Sequence, residues 1–149
     1  MFLKAKGIND SSKGIVVSFH SKWQQILQEG KLRYVFRKRG PARMIPQWIY
    51  VYCGTPVKAL IGRLPVKSLK RITVSECLKL AEYGAISEND LSNYAKDYNT
   101  LFVFEVGQYI SARKAASLDQ LNADYGFLPP QSFLILSEEG VDAVDKHLF

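Results

Sequence analysis

Cysteine and histidine are scarce, with two of each among 149 residues. Cys53 and Cys77 have no metal-ligand spacing, and His20 and His147 stand far apart in the chain, so neither a zinc site nor another metal centre is expected. Without an export signal, the cysteines read as buried thiols. No apolar run approaches the ~20 residues that a membrane helix needs. Met1 to Gly7 lacks the hydrophobic stretch of a signal peptide, which leaves the cytoplasm as the expected compartment. Repeated glycines are missing as well. Gly40-Pro41 and Thr55-Pro56 read as turns rather than phosphate cradles, and no cofactor is expected. Ser18 and Ser132 have no His and Asp context that would make either a nucleophile.

The scarcest feature is acid in the first half. Residues 1–71 hold 15 Lys and Arg against 2 Asp and Glu, whereas residues 72–149 hold 5 against 12. Such asymmetry points to a polyanionic partner, unless the two halves interleave and neutralise each other. The cations also cluster locally, which favours the polyanion. An acidic protein is a second partner of the right charge. Whether the acidic half folds back over the basic one stays open.

The cluster is centred on Gly30-Lys31-Leu32-Arg33-Tyr34-Val35-Phe36-Arg37-Lys38-Arg39. Strand alternation places Leu32, Tyr34 and Phe36 on one face, and Arg33, Val35 and Arg37 on the other. One face can join a core while the other presents guanidinium groups, which grip phosphate in two places and stack on bases. An edge strand kept soluble by its charges has the same pattern.

Around this stretch the chain reads as a polar lead-in over 1–13, then strand 14–19, helix 22–29 opened by Ser21 and closed by Gly30, and strand 32–37. Strands follow at 48–53 and 57–66, the second with Gly62 marking a bulge or close approach. Two helices with acids after their caps form an insertion over 73–98. A central strand at 100–106, an extension or edge strand near 108–112, a helix at 117–125, a closing segment at 129–136 and a tail helix over 137–149 complete the pattern. Irregular alternation of short strands and helices predicts an α+β chain, a small mixed, partly open β-barrel with peripheral helices.

The order of pieces resembles the ASCH domains of the PUA-like superfamily over about residues 14–136. The resemblance rests on Ile15-Val16-Val17-Ser18-Phe19-His20-Ser21-Lys22-Trp23, Ile26-Leu27-Gln28-Glu29-Gly30, Phe36-Arg37-Lys38-Arg39, Tyr50-Val51-Tyr52, Thr55 to Gly62 and Pro130-Gln131-Ser132-Phe133. The family signature is Gly, any residue, Lys, two residues, Glu, any residue, Arg. Gly30 and Arg37 match it, while Leu32 and Val35 stand at the Lys and Glu positions. Neither can move a proton or attack a carbonyl, and Lys31 is displaced to the other face of the strand.

The resemblance implies a cleft between barrel and first helix that faces RNA or a modified base. Residues expected to contact nucleic acid are His20, Lys22, Trp23, Arg33, Arg37, Lys38, Arg39, Arg43 and Lys58, with cations on phosphate and aromatics on bases. This chemistry favours single-stranded RNA or a modified nucleotide. Trp23 and Trp48 each suit core or base stacking, and Tyr34 and Phe36 suit the core. His20 suits a cap, a phosphate contact or a base. The alternative is a hydrolase, an amidohydrolase of acylated cytidine or a ribonuclease. It would draw on Lys31, Lys58, Glu105 and His20. Glu105 is either a surface acid or a partner of Arg37 inside the cleft.

Overall fold

The computed structural model describes residues 13–149; the lead-in, Lys13 apart, lies outside the described residues. The chain runs β1 (Gly14–Phe19), α1 (Trp23–Gln28), β2 (Tyr34–Arg37), β3 (Trp48–Cys53), β4 (Ala59–Thr73), α2 (Val74–Leu80), a 3₁₀ turn (Ala81–Gly84) and α3 (Glu88–Tyr94). It continues through β5 (Thr100–Val106), β6 (Ile110–Ser117), α4 (Leu118–Tyr125), β7 (Phe133–Ile135) and α5 (Glu138–Leu148). The expected α+β architecture of an open barrel with an inserted pair of helices is the one observed.

β4 organises the sheet. The expected strand over 57–66 continues to Thr73, because Lys67 is accommodated as an extra residue between Val66 and Ser68 in the pairing with β5. One edge of its first half pairs with β3 and the other with β6, while its second half pairs with β5. β5 and β6 thus form one antiparallel arm along a single bent strand. The strand order is β2-β5-β4-β3-β1-β7, with β6 on β4. β1 and β3 are the parallel pair, with Ile15 opposite Ile49 and Val17 opposite Val51. β2, at one end of this order, pairs only with β5, so a seam separates it from β1.

Alternation along the strands builds three cores. Ile15, Val17, Ile49, Val51 and Phe104 fill the barrel. Val16, Tyr50 and Leu60 on the opposite face meet Leu121 of α4 and Val141, Val144 and Leu148 of α5. Phe36, Leu101 and Val103 meet Cys77, Ala81 and Leu91 of the insertion. Both cysteines are free and buried, and burial pushes each thiol above its ordinary range.

β2 differs from its expected two-faced form. Leu32 precedes the strand and, with Val35, enters the barrel core, whereas Tyr34 and Phe36 turn toward the insertion. Both faces are covered. The insertion is held by side-chain caps: Thr73 accepts from the Glu76 N–H at 3.2 Å and Ser87 from the Asp90 N–H at 3.0 Å. α1 lacks the expected Ser21 cap; instead the His20 Nδ1 accepts from the Lys22 N–H at 3.1 Å.

α5 is tied to the barrel by a polar cluster. Asp145 accepts from the Tyr50 hydroxyl at 2.6 Å and from Arg63 at 2.8 Å. The Arg63 guanidinium lies between Trp48 (3.9 Å) and Phe149 (4.4 Å), which commits Trp48 to this packing. Arg63–Asp145 is the one ion pair among the described residues, so the charge halves are not neutralised by direct pairing.

Candidate functional site

The seam between β1 and β2 opens into a cleft of about 550 Å³. Three segments build it. β1 and the turn into α1 contribute Phe19, His20, Lys22 and Trp23. β2 contributes Tyr34, Phe36 and Arg37, and the insertion closes the far wall with Gly84, Asp90, Asn93 and Tyr94. The volume lies in the range of small-molecule and nucleotide pockets.

Arg37 spans the seam. It ends β2 on the same face as Val35, so alternation carries its guanidinium toward the barrel mouth. There it lies 4.6 Å from the centre of the Phe19 ring, donates to the Phe36 carbonyl at 2.9 Å and reaches within 3.5 Å of the Ser18 carbonyl. No carboxylate pairs with it among the described residues. Burial lowers its proton affinity below the ordinary arginine value, with the Tyr94 hydroxyl acting in the opposite direction. Even so depressed, an arginine stays charged at neutral pH. A half-buried cation without a counter-ion, its face stacked and its donors partly free, is a ready anion site.

The cleft wall is aromatic. Trp23 packs partly into the barrel core and partly lines the cleft, so it serves both readings. Tyr94 accepts a hydrogen bond from the Lys38 N–H at 3.0 Å, and its ring carries the Lys38 ammonium at 4.7 Å. The Tyr98 ring holds the same ammonium at 5.4 Å. Among the described residues Asp90 is the only acid lining the cleft, on the wall across from Lys22 and Arg37.

Of the residues expected at the site, His20, Lys22, Trp23 and Arg37 are brought together. Lys38 stands behind the wall against Tyr94. Arg33 is exposed outside the cleft, its backbone N–H donating to the Tyr83 carbonyl. Arg39 is exposed on the loop after β2, and Arg43 lines a separate groove. Lys58 is exposed at positive φ on the turn whose Gly54 N–H bonds the Phe19 carbonyl, beside the cleft but outside its lining.

Lys31 is exposed, and Glu105 accepts from the Ser68 hydroxyl at 3.3 Å instead of meeting Arg37. The signature positions Leu32 and Val35 are 6% and 3% exposed, filling the barrel. Tyr34, Asp90, Asn93 and Tyr94 were not anticipated as cleft residues. Nothing in the local pattern of residues 88–94 shows over which strand the helix folds. No group of three or more His, Cys, Asp and Glu is placed to hold a metal ion among the described residues.

The fold is an open β-barrel with peripheral helices, of the kind seen in solved ASCH structures. The chain superimposes on the ASCH protein of Zymomonas mobilis with a TM-score of 0.82 at 24% identity, covering 92% of this chain and 96% of that one. A serine-to-alanine mutant of the same protein gives 0.84 at 24%, covering 95% and 100%. The N-terminal domain of McrB from Staphylothermus marinus gives 0.57 at 14%, covering 91% and 94%. No protein-family model matches the sequence, and a comparison with curated proteins finds no match. The resemblance read from the sequence therefore holds at the level of the fold.

Proposed function

We propose that this chain is a nucleic-acid-binding module that takes one unpaired nucleotide of single-stranded RNA, plain or modified, into the cleft between β1, β2 and the insertion. The observation that carries this reading is Arg37, a stacked guanidinium without a carboxylate partner in an aromatic-lined cleft. Arg37, with His20 and Lys22 at the rim, takes phosphate. Trp23 and Tyr94 offer apolar faces to a base, and stacking of this kind contributes roughly 1–3 kcal/mol per base. Asp90 and Asn93 supply an acceptor and an amide for the base edge.

A hydrolase on the same substrates would have His20 and Asp90 in the cleft, but Lys31, Lys58 and Glu105 outside its lining. Binding is therefore the better-supported role. The test is fluorescence anisotropy with a labelled single-stranded RNA across a salt series, followed by gel and mass analysis of that RNA. Binding that weakens steeply with salt, drops at least tenfold in Arg37→Ala, and returns intact RNA supports a reader. Cleaved or deacylated RNA turns the assignment to the hydrolase. Absence of binding at low salt removes the nucleic-acid role and points to an acidic protein partner.

A further inference from the structure

A second concavity lies beyond the cleft, where the loop between β2 and β3 leaves β4 and β5. It encloses about 490 Å³, and its lining includes Arg43, Lys70 and Arg71 with no acidic residue. Its floor is Phe102, and Ile45 at its edge is 65% exposed, an unusual surface position for an isoleucine. Cations beside uncovered apolar surface suit phosphates beside bases.

Strand register links this groove to the cleft. Arg37 pairs with Phe102, and Phe102 pairs with Arg71, so the three stand in one row across β2, β5 and β4. Paired residues share a face, and neighbouring strands lie about 4.8 Å apart, which sets the Arg37 and Arg71 backbones about 10 Å from each other. The Arg71 guanidinium lies 5.5 Å from the Phe102 ring centre, and its Nε donates to the Thr100 hydroxyl at 3.0 Å. The loop crosses this row at Gly40, where an added Cβ would stand 2.8 Å from the Phe102 ring. Arg39 is exposed on that crossing.

Resting on the cleft reading, we infer that the groove of Arg43, Lys70 and Arg71 is a second subsite, which takes the backbone of the same nucleic-acid strand as it leaves the cleft. The strand passes from Arg37 over Arg39 to Arg71, a path of roughly two or three nucleotides at a stacked rise. The cleft then selects the nucleotide and the groove adds length-dependent, sequence-independent affinity.

The experiment compares 5′-mononucleotides with a mixed-sequence RNA octamer on the full chain, on Lys70→Ala/Arg71→Ala, and on Arg43→Ala from a separate segment. Expected is octamer binding well above mononucleotide binding. The double variant should lose about tenfold on the octamer, lower its salt slope by about 1.4 for two phosphate contacts, and leave mononucleotide affinity unchanged. Arg43→Ala should move the same way by about half as much. An unmodified chain that binds the octamer no better than a mononucleotide overturns the second subsite, as do variants that bind the octamer normally; the cleft reading survives both. An unmodified chain that binds neither probe overturns both. Loss of binding to an acidic peptide, with RNA binding unchanged, makes the groove a protein-docking site and overturns the inference.

Discussion

The Arg37 guanidinium rests 4.6 Å from the Phe19 ring centre, joining across an open seam two strands that share no backbone ladder. The contact holds a cation at the mouth of the barrel without neutralising it. On the proposed reading, function and stability are therefore opposed at this position.

Arg37→Met keeps the length and apolar stem while removing a partly desolvated, unpaired charge. Relief of about 1 kcal/mol would raise Tm by about 2–4 °C in a chain of this size. RNA affinity should fall at least tenfold in the same variant. A Tm that drops by several degrees would show that the arginine is chiefly a structural clasp.

Tyr94→Phe removes the acceptor of the Lys38 N–H while retaining the ring beneath the ammonium. A part-buried donor left without a partner costs about 1–3 kcal/mol, readable in the urea midpoint. RNA affinity should change less than threefold, because the ring facing the cleft is kept. Tyr94→Ala should weaken both.

Gly84→Ala tests the fit of the insertion on β2. Its Cβ would stand 2.5 Å from the Phe36 ring and 3.1 Å from the Tyr34 carbonyl oxygen, so the 3₁₀ turn must lift. Expected is a loss of about 1–3 kcal/mol in chemical denaturation, together with weaker binding as the cleft wall shifts. Normal stability in this variant would mean that the insertion is loosely seated.

Alkaline pH should destabilise the fold. Burial and the bond to Asp145 hold the Tyr50 hydroxyl far above its ordinary range, against the opposing effect of Arg63. Burial pushes Tyr109 up to about 12, with the Ser111 bond opposing. Both keep their protons longer in the fold than in the unfolded chain. Their contribution is complete below about pH 10 and is lost as pH rises through the folded values, by about 1.4 kcal/mol per pH unit for each group in that window. Urea midpoints between pH 9 and 12 should fall, less steeply in Tyr50→Phe.

Asp145→Ala leaves the Tyr50 hydroxyl and Arg63 without their acceptor. With side-chain exposures of 17% for Arg63 and 37% for Asp145, screening reduces the cost below that of a fully buried pair, to about 1–3 kcal/mol. Thermal denaturation should register it. Octamer binding, on the other side of the barrel, should be unchanged when measured well below the lowered Tm.

Local rules made most of the fold legible. Val and Ile runs mark β1 and β3, caps mark α2 and α3, and the order of pieces carries the likeness to ASCH folds, although Leu32 and Val35 depart from the signature that Gly30 and Arg37 match. The missed part of β4 follows from its sequence: Lys67, Lys70 and Arg71 close the basic half of the chain, whereas pairing with β5 makes Lys70 and Arg71 strand and leaves Lys67 as the extra residue ahead of them. Tertiary pairing overrode a composition cue. The site was legible only on its near side. His20, Lys22, Trp23 and Arg37 lie close together in the chain, whereas Asp90, Asn93 and Tyr94 arrive through a helix packing that no spacing rule encodes. Alternation places Tyr34 toward a core, where it packs, but does not reveal that the same ring also lines the cleft.

The two ends of the segment that supplies that far wall lie side by side. Thr73 pairs with Thr100, and the Val74 N–H bonds the Asn99 carbonyl at 3.0 Å. Everything between them hangs from the tip of a closed hairpin, so it can be exchanged as a cassette without cutting a ladder. Grafts at this single junction would keep the β1 and β2 side of the cleft constant while varying the groups on its far wall, which on the proposed reading is the side that meets the base.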